Sequence, residues 1–315
     1  GYMILATGLG PVGYAFAIMH LLTHGFFKAG MFLGAGSVMH GMDDEVNMRK
    51  YGGLGKFMPI TAITFGLGYL AIIGVPPFAG FYSKDKIIET AFNAEGIKGL
   101  LIGSAALLGA LVTAFYMTRV IILTFTGAKR WDEKAHPHES PFLMWGPMAI
   151  LAIGSVASGF LLSSGNRFVS WLAPVVNSHE ADHAEHVERF QPVVVTSMAL
   201  VAVVIGVAIA IVKYRSEVPR VAPTNVRFFT KIARRDLLQD DFNEVVLMRP
   251  GQALTKFLVA TDEKAIDGAV RTVGAAVIGS SKGIRKTQTG FVRSYALLIL
   301  LGAFALLATI WVVTL

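Results

Sequence analysis

From Phe57 to Ser83 the chain runs about 27 residues without a charge, closes on Lys84-Asp85, and is interrupted by Pro76-Pro77. Roughly 20 apolar residues cross the hydrocarbon layer of a bilayer, so a run of this length reads as a membrane-spanning helix. Proline donates no backbone hydrogen bond and its ring clashes with the preceding turn, so the helix is expected to break near residue 76 and restart around Tyr82. At membrane depth, broken backbone survives only where protein or a wet cavity surrounds it. An ionisable pair beside such a break is costly unless it pairs or handles ions, which makes Lys84 and Asp85 candidate functional residues.

Composition supports a membrane protein. Mean hydropathy is +0.58 and charged residues are 16% of the chain, against about 25% in a soluble domain. The formal charge of +7 does not point to nucleic acid, because the cations gather in particular loops, as orientation in a membrane requires. Cysteine is absent, which excludes a disulfide framework and a thiolate metal site. The chain opens at Gly1 inside an apolar stretch, with no charged leader, so it reads as a piece of a longer protein without a signal peptide.

The fold class expected is an all-α membrane protein, a bundle of transmembrane helices with a discontinuous helix and a long lateral amphipathic helix before the last span. Residues 1–10 read as the end of one spanning helix. Complete spans are expected at about 13–40, 58–94 (the broken helix), 98–127, 141–164, 191–213 and 294–315. Loop charge alternates with these six crossings. Arg49, Lys50 and Lys56 follow the first, and Lys129, Arg130 and Lys134 fall in loop 128–140. Lys213, Arg215, Arg220 and Arg227 follow residue 212, and Arg285, Lys286 and Arg293 precede the last span. The intervening loops hold fewer cations, so the basic loops are expected on the cytoplasmic side and the C-terminus outside.

Within residues 1–213 the chain is therefore read as the transmembrane bundle, 214–293 as a lateral region and 294–315 as the final span. The lateral region has no uncharged run long enough to cross. Ile266, Ala269, Val270, Val273 and Val277 recur at helical spacing, and Leu254, Phe257 and Leu258 make a similar face. That pattern predicts an amphipathic helix, interrupted at Pro250-Gly251, lying on the membrane surface or against partner helices. A small cytoplasmic domain is the alternative, although some eighty residues make only a small core.

His20, His24 and Lys28 are spaced by four, which puts them on one face of a helix. Histidine exchanges protons near neutral pH, and a lysine deprived of water gives up its proton more readily. Two readings fit: a proton relay, or hydrogen-bonded core histidines with Lys28 snorkelling to the surface. His-x-x-x-His lacks the glutamate of a zinc protease helix. Lys84-Asp85 is either an interfacial pair or the head of a second half-helix, and the double proline with Gly80 favours the latter. There the helix dipole would stabilise Asp85 and leave Lys84 as the switchable charge, with Lys86 and Glu89 as an exposed flank. Gly8, Gly10 and Gly13 formally fit a dinucleotide loop, but they follow a hydrophobic helix rather than a strand and Pro11 removes a needed N–H. Gly30 with Gly34, and Gly99 with Gly103, read as close helix packing. His136 and His138, and His179, His183 and His186, read as solvated loop residues; the spacing of the second group would also allow a metal site, but none is assigned.

The run His20-Leu21-Leu22-Thr23-His24-Gly25-Phe26-Phe27-Lys28-Ala29 resembles the histidine-bearing helix of the antiporter-like subunits of respiratory complex I. Gly52-Gly53-Leu54 and Pro76-Pro77-Phe78-Ala79-Gly80-Phe81-Tyr82-Ser83-Lys84-Asp85 are similar to that family's discontinuous helix with its essential lysine. His136 to Pro141 and Gln288 to Leu297 resemble stretches of one bacterial member, and that member also has a lateral helix before its last span.

The resemblance implies that Lys84 is the lysine at the outward half of a proton channel, linked upstream by His20 and His24, with Lys28 one turn further along. Asp85 follows the channel lysine in the family pattern, and Asp240, Asp241, Asp262 and Asp267 match acidic positions of the lateral region. It implies a proton-translocating membrane-arm subunit of an NADH:quinone oxidoreductase in a bacterial inner membrane. NAD, FMN, iron–sulfur clusters and quinone would belong to other subunits, and this chain would hold no cofactor. Its partners would be the lipid bilayer and the neighbouring antiporter-like subunits, contacted by the lateral helix, with no nucleic acid. The glutamate–lysine pair of the family's earlier repeat has no counterpart here. A multisubunit sodium/proton antiporter of related fold and a structural brace for neighbouring subunits are the rival readings.

Overall fold

The computed structural model describes residues 1–176, 189–215, 218, 221, 223–288 and 290–314. The chain divides into two units, Gly1–Pro223 and Thr224–Leu315. His179, His183 and His186 lie outside the described residues.

The first unit is a helical bundle. A short α1 (Tyr2–Thr7) turns into α2 (Pro11–Gly41), followed by α3 (Pro59–Ile73), α4 (Ala79–Phe92) and α5 (Gly96–Thr124). After these come α6 (Phe142–Ser163), α7 (Arg167–Val176) and α8 (Pro192–Tyr214). Among the described residues five helices are long and apolar enough to cross a membrane, four of them in this unit, with α3 a shorter apolar helix. Gly10 takes a positive φ of 77° to start α2, and a Cβ on Gly13 would strike the Ala6 carbonyl. These glycines therefore serve a helix–helix turn.

The basic loops after α2 and α5 meet at one end of the bundle. Gly53 N–H donates to Thr126 O at 3.0 Å, Gly55 N–H to Phe125 O at 3.0 Å, and Arg130 N–H to Tyr51 O at 3.1 Å. The Arg130 guanidinium, counted above only as a loop cation, donates to the carbonyls of Arg49, Met48, Leu123 and Ala128. Trp131 Nε1 donates to Gly52 O at 3.1 Å. At the opposite end Asn93 and Phe190 exchange two hydrogen bonds, at 3.0 and 3.3 Å. The bundle thus has a basic end and an opposite end, as the loop charges require.

Small residues let the helices approach. Ala110 and Ala114 of α5 are buried, as are Ala199, Ala202 and Ala210 of α8. A Cβ on Gly206 of α8 would come within 3.1 Å of the Phe115 backbone nitrogen. Gly34 of α2 packs on Phe65 of α3 and Gly30 on Leu151 of α6, so this pair does mediate close packing. A core of Phe27, Met31, Leu54, Met58 and Phe65 fills the space between α2 and α3.

The second unit holds α9 (Phe228–Ala233), a long helix and α11 (Val292–Thr314), the last of the five membrane-length helices. The long helix, α10, is continuous from 239 to 285, roughly 70 Å at 1.5 Å per residue. Its α segments Gln239–Asn243, Arg249–Thr261 and Asp267–Arg285 are joined by π segments Glu244–Met248 and Asp262–Ile266. The interruption expected at Pro250-Gly251 is absent. Proline cannot donate to its preceding turn, and the π segment directly before it loosens that turn so that the helix carries on.

Candidate functional site

The site forms where α3 ends and α4 begins. Gly74 closes α3 with φ 84° and ψ 41°. Its N–H donates to Ala71 O at 3.1 Å and that of Val75 to Leu70 O at 3.1 Å, the paired bonds of a Schellman cap, which needs a left-handed residue. Pro76 and Pro77 follow, joined by a cis peptide bond. Phe78 is extended, with φ −74° and ψ 157°, and α4 starts at Ala79. The expected break is therefore present, but the restart comes three residues before Tyr82. A proline biases the residue before it away from helix, and Phe78 does not precede one. A Cβ on Gly80 would collide with the Ala71 carbonyl, so glycine is what lets the two half-helices touch.

Ser83, Lys84 and Asp85 are consecutive on α4 and point three ways, about 100° apart. Lys84 is 2% exposed, and its Nζ donates to the Ile73 carbonyl at 2.5 Å. The ammonium thus sits at the C-terminal, negative end of the α3 dipole, where a cation is favoured. A methyl group on Gly74 would lie 2.7 Å from Nζ. Ser83 is fully buried and turns to α2. Its Oγ lies 2.8 Å from His20 Nδ1 and 2.9 Å from Thr23 Oγ1.

Asp85 is 6% exposed, and its Oδ2 is buried without a hydrogen-bond partner. It is the seventh residue of α4, beyond the first turn where a helix dipole acts. The expectation that the dipole holds Asp85 is therefore corrected: it is Lys84 that meets a helix end.

Two cavities flank the pair. The first, about 190 Å³, is lined by His20, His24, Lys28 and Lys84 together with Thr113 and Tyr116. The four basic candidates thus share one chamber with room for several water molecules. Since α2 runs from the opposite end to the basic end, they step from Lys84's level towards the basic loops. His20 is buried, its ring centroid 6.0 Å from that of His24, and Lys28 Nζ is 5.3 Å from the Phe32 centroid. The second cavity, about 440 Å³, lies towards the opposite end and is lined by Asp85, Lys86, Glu89, Asn166 and Thr196. Lys86 and Glu89, read above as an exposed flank, pair at 2.9 Å and line this cavity.

Sequence reasoning passed over Ser83, Thr23 and Gly74. The two hydroxyls sit inside uncharged runs and signal nothing alone. Gly74 was within reach, since a glycine at the end of a helix just ahead of prolines marks a left-handed cap. Also unanticipated was Glu139, from the loop before α6. Its Oε2 accepts from the N–H groups of Ile60 at 2.7 Å and Thr61 at 3.2 Å, and Oε1 accepts from Thr61 Oγ1 at 2.5 Å. It caps the N-terminus of α3, the helix whose other end receives Lys84.

Residues 1–109 match a family described as NADH:quinone oxidoreductase/Mrp antiporter, TM. NADH-quinone oxidoreductase subunit L of Mycobacterium tuberculosis is 56% identical over 317 residues, covering 100% of this chain and 49% of the relative. NAD(P)H-quinone oxidoreductase chain 5 of Picosynechococcus sp. is 36% identical over 332 residues, covering 95% of this chain and 49% of its own. The chain therefore spans about half the length of the curated relatives it matches. Among solved structures, that of the Mrp complex from Dietzia sp. superposes with a TM-score of 0.53 at 22% identity, over 100% of this chain and 30% of the other, which is a likeness of fold. Along its whole length, then, the chain is similar to about half of NADH-quinone oxidoreductase subunit L, and its residues 1–109 match the NADH:quinone oxidoreductase/Mrp antiporter family.

Proposed function

We propose that this chain carries a proton-translocating site of a membrane-arm subunit in an NADH:quinone oxidoreductase. The observation that carries the reading is the buried Lys84 ammonium at the junction of two half-helices. A chamber lined by His20, His24 and Lys28 lies on one side of it, and a second chamber lined by Asp85 on the other. A proton would reach Lys84 along the histidine chamber from the basic end and leave through the Asp85 chamber. Moving one proton against 100 mV costs about 2.3 kcal/mol. The lysine would thus need its protonation changed by only a few kcal/mol, within the reach of altered hydration or a nearby charge in a low-dielectric interior.

The basic end would face the bacterial cytoplasm, following the rule that cations stay inside. The redox steps would run elsewhere in the complex, on subunits holding NAD, FMN, iron–sulfur clusters and quinone. Helix α10 would contact neighbouring antiporter-like subunits through its apolar stripe. Replacing Lys84 by alanine should abolish proton pumping in vesicles while NADH oxidation by artificial acceptors continues, and undiminished pumping would refute the assignment.

The likeness of fold to an Mrp complex gives one rival its support, a subunit of a sodium/proton antiporter. The purified complex separates the two. NADH-dependent quinone reduction supports the oxidoreductase, whereas sodium-dependent proton exchange without redox partners supports the antiporter.

A further inference from the structure

We propose that Ser83 and Thr23 are positioning residues that fix the tautomer of His20, holding its proton on Nδ1 and presenting a bare Nε2. The inference rests on the proposed proton path but concerns a property the path itself leaves open.

Three contacts among three groups carry it. His20 Nδ1 lies 2.8 Å from Ser83 Oγ, Ser83 Oγ lies 2.9 Å from Thr23 Oγ1, and Thr23 Oγ1 donates to the backbone carbonyl of His20 at 3.1 Å. Each hydroxyl has a single hydrogen. If Thr23 donates to the carbonyl, its oxygen must accept from Ser83. Ser83 has then spent its hydrogen, and its oxygen must accept from Nδ1–H. All three contacts become hydrogen bonds in one closed circuit.

In the reverse arrangement Ser83 donates to Nδ1 and Thr23 to Ser83, and the carbonyl contact is lost. Ser83 and Thr23 are both 0% exposed, so water cannot repair the missing bond, and buried groups favour full satisfaction. The circuit therefore selects Nδ1–H, since the hydrogen bond made by one ring nitrogen sets which nitrogen of a histidine carries the proton.

The consequence falls on the chamber shared with Lys84. A neutral ring protonated at Nδ1 has its lone pair at Nε2, so His20 accepts a proton there rather than donating one. Uptake gives an imidazolium with both nitrogens protonated, and release of the same proton from Nε2 restores the starting ring. Nδ1–H stays on Ser83 throughout. The exchange is thus confined to one nitrogen, and the orientation of the ring survives each cycle.

The test uses the intact complex in vesicles, with ¹⁵N-histidine solid-state spectra assigned by difference from His20→Gln. The unmodified protein should show His20 protonated at Nδ1. In Thr23→Val, which is nearly isosteric, Ser83 loses its 2.9 Å acceptor, keeps only the long 3.4 Å contact to the Ala79 carbonyl, and donates to the nearer Nδ1, so the signal should move to the Nε2–H form. Proton translocation should fall at least fivefold while quinone reduction by uncoupled vesicles persists. Ser83→Ala should give the same tautomer change, with Ser83→Thr restoring the original form. A resting ring protonated at Nε2, or a Thr23→Val spectrum identical to the unmodified one, overturns the proposal. Pumping that survives Lys84→Ala would instead defeat the proton-path reading while leaving the tautomer assignment standing on its spectrum.

Discussion

Lys84 owes its place to groups that are themselves unremarkable in sequence. Its ammonium is held by one carbonyl, Ile73 O, and by the room that Gly74 leaves. A methyl group at position 74 would demand an L-residue at φ 84° and would sit 2.7 Å from Nζ. Gly74→Ala should therefore cost about 1 kcal/mol or more in backbone strain. It should also displace the ammonium from the helix end. Pumping should drop at least tenfold, with helix content by circular dichroism unchanged. Asp85→Asn is a contrasting case. Its unpartnered Oδ2 is a burial cost in the native state, so the neutral amide should leave thermal stability equal or higher while impairing proton release. Retained stability with lost pumping marks a functional charge. A fall in melting temperature would show that the carboxylate is structural.

Helix α3 runs as a single dipole from the basic end of the bundle to the break beside Lys84. Glu139 sits on its N-terminal N–H groups and Lys84 on its C-terminal carbonyl, so each charge complements the end it meets. Thr61 and Ser37 join at 2.7 Å, and Ser37 and Ser140 at 2.7 Å, tying α2, α3 and the Glu139 loop into one buried hydroxyl cluster. Removing the cap in Glu139→Ala should cost about 1–2 kcal/mol, read as a lower melting temperature of the solubilised complex, with Glu139→Gln intermediate because one acceptor oxygen remains.

The helices themselves were legible in the chain, because uncharged runs and loop cations report directly on bilayer physics. The break at Pro76-Pro77 was legible because proline lacks the N–H that a helix turn needs. Its restart at Ala79, the turning of Lys84 and Asp85 to separate chambers, and the Glu139 cap were not. They depend on which way consecutive α4 side chains turn and on a loop residue about eighty positions away, and no local pattern encodes either. Pro250 misled because a π segment absorbs what proline alone would break.

At the scale of the whole molecule, α10 of the second unit carries an exposed apolar line among the described residues. Ile266, Val270, Val273 and Val277 of α10 are 58, 67, 65 and 64% exposed, and Asp267 with Arg271 marks a polar flank at 3.6 Å. Burying an aliphatic side chain is worth about 1.5–3 kcal/mol. Covering three valines therefore offers on the order of 4–5 kcal/mol, about a thousandfold in affinity, once α10 meets a neighbour. Replacing Val270, Val273 and Val277 together by serine should leave the charge pattern and the Lys84 site untouched. It should also weaken retention of the neighbouring membrane subunits on native gels. Because serine and valine have about the same helix propensity, α10 should keep its helicity, so loss of retention would report lost contact rather than unfolding. Pumping per assembled complex should be unchanged. Undiminished retention together with weaker binding to anionic vesicles would place the stripe on the lipid headgroups instead of on a partner helix.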